Sequence, residues 1–343
     1  MGEDRQADDE RRIAAKRLTI EDVGRLAGVS RNTVSLALAN SPRVRPATRE
    51  RVIQVVQSTG YRPNHAAAVL AGGLTKTLGV VEFGLPAYLS DRAYLGYLAG
   101  IEEATSANGY DLLLLSAHRM PESDRLLALA RARRVDGLVL LGPETDRTAV
   151  AGLLAAGVPM VHIGRRVIPG QDLAYVTPDY GLAGKQALLR LVRRGSRRIV
   201  YVTGVNQPES KSDLWESIVD AARQHAARGR VLSTAACDLR DVGDLPFAQN
   251  DRSDFGIVVH GSRTCTALWR ILTELGMRAR IVAYDDEGWL DEALPSLDLI
   301  RPRKRCIGHT AALLALDLIA NKKPLHPHMT VASETSWEET PES

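Results

Sequence analysis

From residue 78 onward the sequence alternates short apolar runs with helix-length amphipathic stretches, and no other feature constrains the fold as strongly. The runs predict strands at Leu78–Glu82, Asp111–Leu115, Gly137–Leu141, Met160–Ile163, Ile199–Thr203, Phe255–Val259, Ile281–Tyr284 and Asp298–Ile300. The intervening periodicity predicts helices at Ala93–Ala107, Glu122–Arg133, Thr148–Ala156, Gly181–Arg193, Leu214–Ala227, Thr264–Leu275 and Ile307–Ala320. Such alternation specifies parallel α/β structure, because each helix carries the chain back across the sheet to start the next strand. Eight strands are more than one six-stranded sheet with short loops needs. Two sheets facing each other across a cleft fit better, with small ligands bound outside the strand ends. The pattern by itself is equally that of a ligand receptor, a dehydrogenase or a kinase.

The first fifth of the chain is different. Residues 11–76 carry twelve Lys/Arg against three acids, a balance of +9, whereas the first ten residues sum to −4 and everything after residue 76 to −2. A small basic module joined to a nearly neutral body points to a polyanion partner for the module alone, the plainer reading being a solvated charged surface.

Thr19 is placed to cap a helix whose first turn holds Glu21 and Asp22, both favourable at the positive helix end. Ile20, Val23 and Leu26/Ala27 recur at helical spacing and predict one buried face. Gly28 then ends the helix, Val29 plugs the gap under the turn, and Ser30 caps a second helix with Val34, Ala37 and Leu38 inward. Leu18–Asn40 therefore reads as helix, tight turn, helix, the arrangement whose second helix enters the DNA major groove. Arg31, Asn32, Ser35 and Leu36 are expected on its outer face. Arg matches guanine and Asn matches adenine at base edges, while Leu meets only apolar groups such as a thymine methyl. A third helix is expected from Pro46 to Thr59-Gly60, with Val52, Val55 and Val56 inward. An Ala-rich run, His65–Ala71, follows and is stopped by Gly72-Gly73. It is either an inert linker or a segment that orders on DNA and wedges Leu70 into the minor groove.

These residues carry a close resemblance. The run Leu18-Thr-Ile-Glu-Asp-Val-Gly-Arg-Leu-Ala-Gly-Val-Ser-Arg-Asn-Thr-Val-Ser35, followed by Val44-Arg-Pro-Ala-Thr-Arg-Glu50 and Gly60-Tyr-Arg-Pro-Asn64, resembles the headpiece of the LacI/GalR family of bacterial transcription regulators. Leu70 falls on that family's hinge leucine and Ala67 on the small residue one turn earlier. The resemblance implies DNA contacts from Thr19, Ser30, Arg31, Asn32, Thr33, Ser35, Leu36, Asn40, Asn64, Ala67 and Leu70. Leu36 departs from the Arg common in the family, which implies an atypical operator.

The body resembles the family's effector domain, related to periplasmic sugar-binding proteins, through Val135-Asp-Gly-Leu-Val139, Gly157-Val-Pro-Met-Val161, Val176-Thr-Pro-Asp179 and Arg194-Gly-Ser-Arg-Arg-Ile199. Asp285 falls on the family's ligand-binding acid, Lys211 stands for a ligand-holding Arg four residues before Trp215, and His260-Gly261 replaces an Asn-Asp pair. Lys211, Trp215, His260 and Asp285 are thus the effector-site residues that the resemblance implies. Surface charge for Lys211 and a satisfied core histidine for His260 are the plainer alternatives. Asp298-Leu299 stands where the family has a Thr-Thr pair.

The expected architecture is an N-terminal all-α helix-turn-helix headpiece plus a two-subdomain, periplasmic-binding-protein-like parallel α/β body. Its parts are an arm at 1–16, the headpiece at 17–62, a hinge helix and linker at 63–76, the body at 77–332 and a loose tail at 333–343. The expected partners are an operator duplex, a small-molecule effector such as a sugar, and a second copy of the chain. No leucine heptad tethers dimers into tetramers. Three scattered cysteines, Cys237, Cys265 and Cys306, make neither a disulfide framework nor a thiolate metal site, and His326-Pro-His328 lacks further ligands, so no metal or cofactor is expected. The acidic first ten residues lack the layout of a secretory signal and no apolar stretch reaches membrane-spanning length, so a cytoplasmic chain is expected. No Walker or Gly-x-Ser-x-Gly motif is present, so no catalytic residues are assigned. An enzyme of this fold carrying a headpiece, such as a sugar kinase, and a plain solute receptor remain as alternatives. The first needs a nucleotide or catalytic motif, the second an export signal and no headpiece.

Overall fold

Thr19 opens the first helix of the headpiece with a reciprocal cap. Its hydroxyl accepts from the Asp22 amide at 3.3 Å while its own amide donates to the Asp22 carboxylate at 3.0 Å. The structure is a computed structural model that describes residues 18–38, 41–61, 73–83, 92–116, 122–142, 145–203, 209–226, 233–238, 255–284 and 289–338. Helix α1 (Ile20–Ala27) ends at Gly28, whose φ of 65° is the left-handed turn that only glycine adopts without strain. The Ser30 hydroxyl accepts from the Thr33 amide at 3.1 Å and opens α2 (Arg31–Leu38), and Pro46 opens α3 (Pro46–Thr59). Val23, Ala27, Val34, Ala37, Val44, Val52 and Tyr61 form the headpiece core, with Ile20, Val29, Leu38, Val55 and Val56 packed at its margin. Two expectations are corrected here. Leu26 is 58% exposed and not part of the buried face, because Val23 and Ala27 suffice to meet α2 and α3. Leu36 is half-buried against the same core and not turned fully outward.

The chain divides into two compact units at Gly73/Leu74. In the second unit, β1 (Thr77–Glu82), α4 (Arg92–Ala107), β2 (Asp111–Ser116), α5 (Glu122–Arg131), β3 (Gly137–Leu141), α6 (Arg147–Ala155), β4 (Met160–Ile163) and β5 (Tyr175–Pro178) build one sheet with its helices. A second sheet is built by α7 (Tyr180–Arg193), β6 (Arg198–Thr203), α8 (Glu209–Ala226), β7 (Ser233–Asp238), β8 (Phe255–His260), α9 (Ser262–Glu274), β9 (Arg280–Tyr284), the short α10 (Leu290–Ala293) and β10 (Asp298–Arg301). Helix α11 (Lys304–Ile319) returns to pack on the first sheet, β11 (His328–Val331) joins that sheet beside β5, and β12 (Glu334–Thr335) goes back to the second beside β10. The chain thus passes between the subdomains three times.

The strand orders are β11-β5-β4-β3-β1-β2 and β12-β10-β9-β8-β6-β7, parallel throughout except at β12. Setting the added edge strands aside, both halves repeat one doubly wound order, with the reversal at β1/β3 and at β6/β8. Ligands bind beyond the strand C-termini at such reversals. Helices α4 and α11 approach so closely that a Cβ on Gly100 would lie 1.9 Å from the Arg305 carbonyl and one on Gly308 2.1 Å from that of Tyr97, so only glycine fits at either position.

All eight expected strands are present, while β5, β7, β11 and β12 are additional. The expectation of a loose tail from 333 is corrected over residues 334–338. Ser336 exchanges hydrogen bonds with Leu299 at 2.8 and 2.9 Å, and Trp337 packs on the core of the second subdomain. Likewise His328, expected in a loop, opens β11, where it stacks on Tyr175 and pairs with Asp172 at 2.7 Å. Among the described residues no helix is long and apolar enough to cross a membrane, and no three His, Cys, Asp or Glu are grouped to hold a metal ion.

Candidate functional site

On the headpiece, α2 exposes Arg31, Asn32 and Ser35 in a row, since Val34 and Ala37 turn the opposite face into the core. Thr33 is half-buried, its hydroxyl 2.9 Å from that of Ser30. Arg31 is held at 3.1 Å by Glu21 across the turn, with both side chains more than half exposed. Such a pair is weak in water and can be exchanged for a phosphate or a guanine edge. Arg49 stabilises the loop after α2 by donating to the Ser41 carbonyl at 2.7 Å. Tyr61 closes the core, and burial beside Glu21 pushes its phenol above the ordinary value. Asn40, Asn64, Ala67 and Leu70 lie outside the described residues, as do Asp285 and the side chain of Lys211.

In the body, His260 ends β8 and is buried, its Nδ1 3.0 Å from the Tyr201 hydroxyl. Its ring lies 4.9 Å from Tyr284 and 6.0 Å from Tyr180, while Trp215 of α8 stacks on Tyr201 at 5.8 Å. Trp215 and His260 are therefore brought together around Tyr201, in an aromatic cluster at the C-terminal side of the second sheet. Burial pushes the Tyr201 and Tyr284 phenols far up, so both remain neutral hydrogen-bonding groups.

The most developed polar arrangement was not anticipated. After β4, Arg165 donates its Nε to Asp213 Oδ2 at 2.9 Å and a second nitrogen to Oδ1, reaching α8 of the other subdomain. The buried Arg166 lies 3.3 Å from Glu209 and donates to the carbonyls of Arg165 at 2.8 Å and Gly142 at 2.9 Å. Arg147, at the start of α6, reaches the same Glu209 at 2.8 Å. Burial alone would raise the Glu209 carboxyl, but its own backbone, Arg166, Val167 and Arg147 together hold it below the ordinary value. Behind Arg166, the fully buried His162 sits with Nδ1 2.7 Å from the Gly164 carbonyl and Nε2 2.8 Å from the Thr145 hydroxyl. Nδ1 faces a carbonyl and so donates to Gly164, while the Thr145 hydroxyl beside Nε2 also reaches the Gly142 carbonyl, at 3.0 Å. Burial and the neighbouring Arg166 lower its pKa to about 3. The only sequence signal for this clasp was the Arg165-Arg166 doublet directly after a strand.

Residues 19–64 match the bacterial regulatory proteins of the lacI family, residues 83–231 the periplasmic binding proteins and sugar binding domain of the LacI family, and residues 188–338 a periplasmic binding protein-like domain. The HTH-type transcriptional regulator CelR of Thermobifida fusca is 30% identical over 332 residues, spanning 90% of this chain and 93% of CelR. This chain belongs to the LacI family. Catabolite control protein A of Priestia megaterium, another relative, is 28% identical over 225 residues, 65% of this chain and 64% of its own. Among solved structures, a transcriptional regulator CelR–cellobiose complex superposes with a TM-score of 0.66 at 26% identity over 94% of this chain and 99% of that one. The lac repressor dimer bound to operator and the anti-inducer ONPF also gives 0.66, at 21% identity over 93% and 98%, a likeness of fold. In this LacI-family chain the exposed row on α2 is the candidate nucleic-acid interface, and the strand ends around the aromatic cluster and the arginine clasp are the candidate effector site.

Proposed function

We propose that this LacI-family chain is a sequence-specific DNA-binding transcription regulator, a repressor, whose grip on its operator is set by a small molecule in the body. The observation that carries the reading is the doubly capped helix-turn-helix that leaves Arg31, Asn32 and Ser35 exposed on one face of α2. A homodimer presents two such helices to successive major grooves of a near-palindromic operator, roughly 34 Å apart or farther. Asn40, Asn64, Ala67 and Leu70 complete the DNA contacts, with Leu70 as the minor-groove wedge. Lys211, Trp215, His260 and Asp285 hold the effector, for which a sugar is the leading class, given a relative solved with cellobiose. The effector acts by favouring one of two body states, and its coupling is limited by its differential affinity for them. The protein is not an enzyme and works in the cytoplasm.

Selection of bound duplexes from a random pool tests the reading. Enrichment of a two-fold-symmetric sequence, with affinity falling steeply as salt rises, is the expected result. Failure to retain any duplex at moderate ionic strength would overturn it. Calorimetry against a panel of sugars, cellobiose included, tests the effector class.

A further inference from the structure

We propose that Asp136 is a positioning residue that pins the point where the chain enters the body from the DNA-binding unit, and thereby sets which half-site separation the dimer accepts. The inference rests on the reading of the chain as a dimeric operator-binding regulator.

Asp136 stands just before β3, and both of its carboxylate oxygens face the segment leading into β1. Oδ1 accepts from the Thr75 amide at 2.7 Å and the Thr75 hydroxyl at 2.9 Å, and Oδ2 accepts from the Lys76 amide at 2.8 Å. Its own amide donates back to the Thr77 carbonyl at 2.9 Å. The remaining backbone groups of this segment are also engaged. The Lys76 carbonyl accepts from Asp111 at 2.8 Å, the Thr77 amide donates to the Thr75 hydroxyl at 3.2 Å, and the Thr75 carbonyl accepts from the Thr77 hydroxyl at 3.2 Å. Every backbone donor and acceptor from Thr75 to Thr77 thus has a partner, and Asp136 supplies half of them.

The corner they hold is one the chain does not adopt freely. Lys76 has a φ of 52°, a conformation that disfavours any residue with a side chain, and its ammonium lies 4.4 Å above the ring of Tyr110. A non-glycine residue stays in that region only where its surroundings over-determine it. A passive connection between two units needs none of this. A tether with a fixed origin reaches a narrower range of separations than one whose origin swings, so the pinned corner narrows the spacings that two headpieces can span together.

The experiment uses the full-length protein and the duplex it selects from a random pool. Binding is measured on that duplex, on versions with one base pair added or removed between the half-sites (a shift of about 3.4 Å), and on an unrelated duplex. Wild type should discriminate against the altered spacings. Asp136→Ala should lose on the order of ten-fold on the selected operator and bind all three spacings almost alike, with the unrelated duplex unaffected. Asp136→Asn keeps an acceptor for Thr75 but turns an amide donor toward the Lys76 amide, and should flatten the spacing preference in the same direction even if Asp136→Ala fails to fold. Variants that keep wild-type spacing discrimination overturn the inference alone. Parallel losses on operator and unrelated duplex would mean that Asp136 serves only body stability, and also overturn it. A wild type that selects no duplex overturns the functional reading itself.

Discussion

Arg165 and Asp213, 48 residues apart in the chain, meet in a two-point contact that ties the end of β4 to the second turn of α8, with the Nε–Oδ2 distance at 2.9 Å. Asp213 holds the guanidinium more firmly protonated than usual. The contact joins the two subdomains beside the pairs that Arg147 and Arg166 make with Glu209, so it contributes to the arrangement the body adopts.

A double-mutant cycle on Arg165→Ala and Asp213→Ala should therefore return a coupling of about 1 kcal/mol in body stability, because both side chains remain partly exposed. Molar salt should reduce it, and exchanging the two residues should restore part of it. A coupling indistinguishable from zero at low salt would show that the pair adds nothing to closure.

His162 makes a pH prediction of definite sign. Its folded pKa, about 3, lies below the ordinary value of 6.5, so near neutrality the ring is neutral in both folded and unfolded chains and contributes no slope. As pH falls below about 6.5 the unfolded chain takes up a proton that the folded chain refuses, and stability drops by up to about 1.4 kcal/mol per pH unit. Urea unfolding between pH 7 and 4 should show this loss in wild type, and His162→Leu, though less stable overall, should show a shallower decline. Equal slopes in the two proteins would mean that the ring is not held neutral.

Much of the fold was legible in the order of residues, and the reasons it was not wholly so are physical. Strands β1, β3 and β4 are short, mostly apolar runs buried on both faces, so composition located them. Strand β5 spans only Tyr175–Pro178 and ends in a proline, and β11 alternates between exposed and half-buried positions at a sheet edge, so neither carries a strong local signal. Their pairing depends on the chain returning from α11, which no local pattern encodes. In the headpiece the caps at Thr19 and Ser30 and the turn at Gly28 were readable because their chemistry is local. The clasp was not, since Arg147, Arg165, Glu209 and Asp213 read singly as solvated surface charges until folding sets them opposite one another.

Arg31 and Ser30 should separate recognition from stability within one helix. Arg31→Ala removes only an exposed ion pair with Glu21, so headpiece stability should change by less than about 0.5 kcal/mol. Operator affinity should fall by about 1–3 kcal/mol, the worth of a bidentate base contact. Ser30→Ala removes the cap on the Thr33 amide and should destabilise the headpiece by about 1 kcal/mol. Thermal unfolding beside binding titrations checks both, and an Arg31→Ala protein with unchanged operator affinity would remove that residue from the interface.

Asp298 closes the far end of the second sheet, accepting from Arg190 at 2.9 and 3.0 Å and from Arg194 at 2.6 Å, while Trp337 covers the Arg190 guanidinium at 5.3 Å. Burial pushes this carboxyl up, but the two arginines outweigh burial and hold it below the ordinary value. A depressed carboxyl stabilises the fold above its unfolded pKa, near 3.9, and loses that contribution only as pH falls through the lower folded value. Asp298→Asn should thus destabilise by about 2–3 kcal/mol at pH 7, less than for a fully buried pair because both arginines are partly exposed. Between pH 7 and 5 the variant and wild type should decline in parallel, since His162 dominates there, and the gap should narrow only below about pH 4. Narrowing already at pH 6 would show that the carboxylate is not held in its charged form by Arg190 and Arg194.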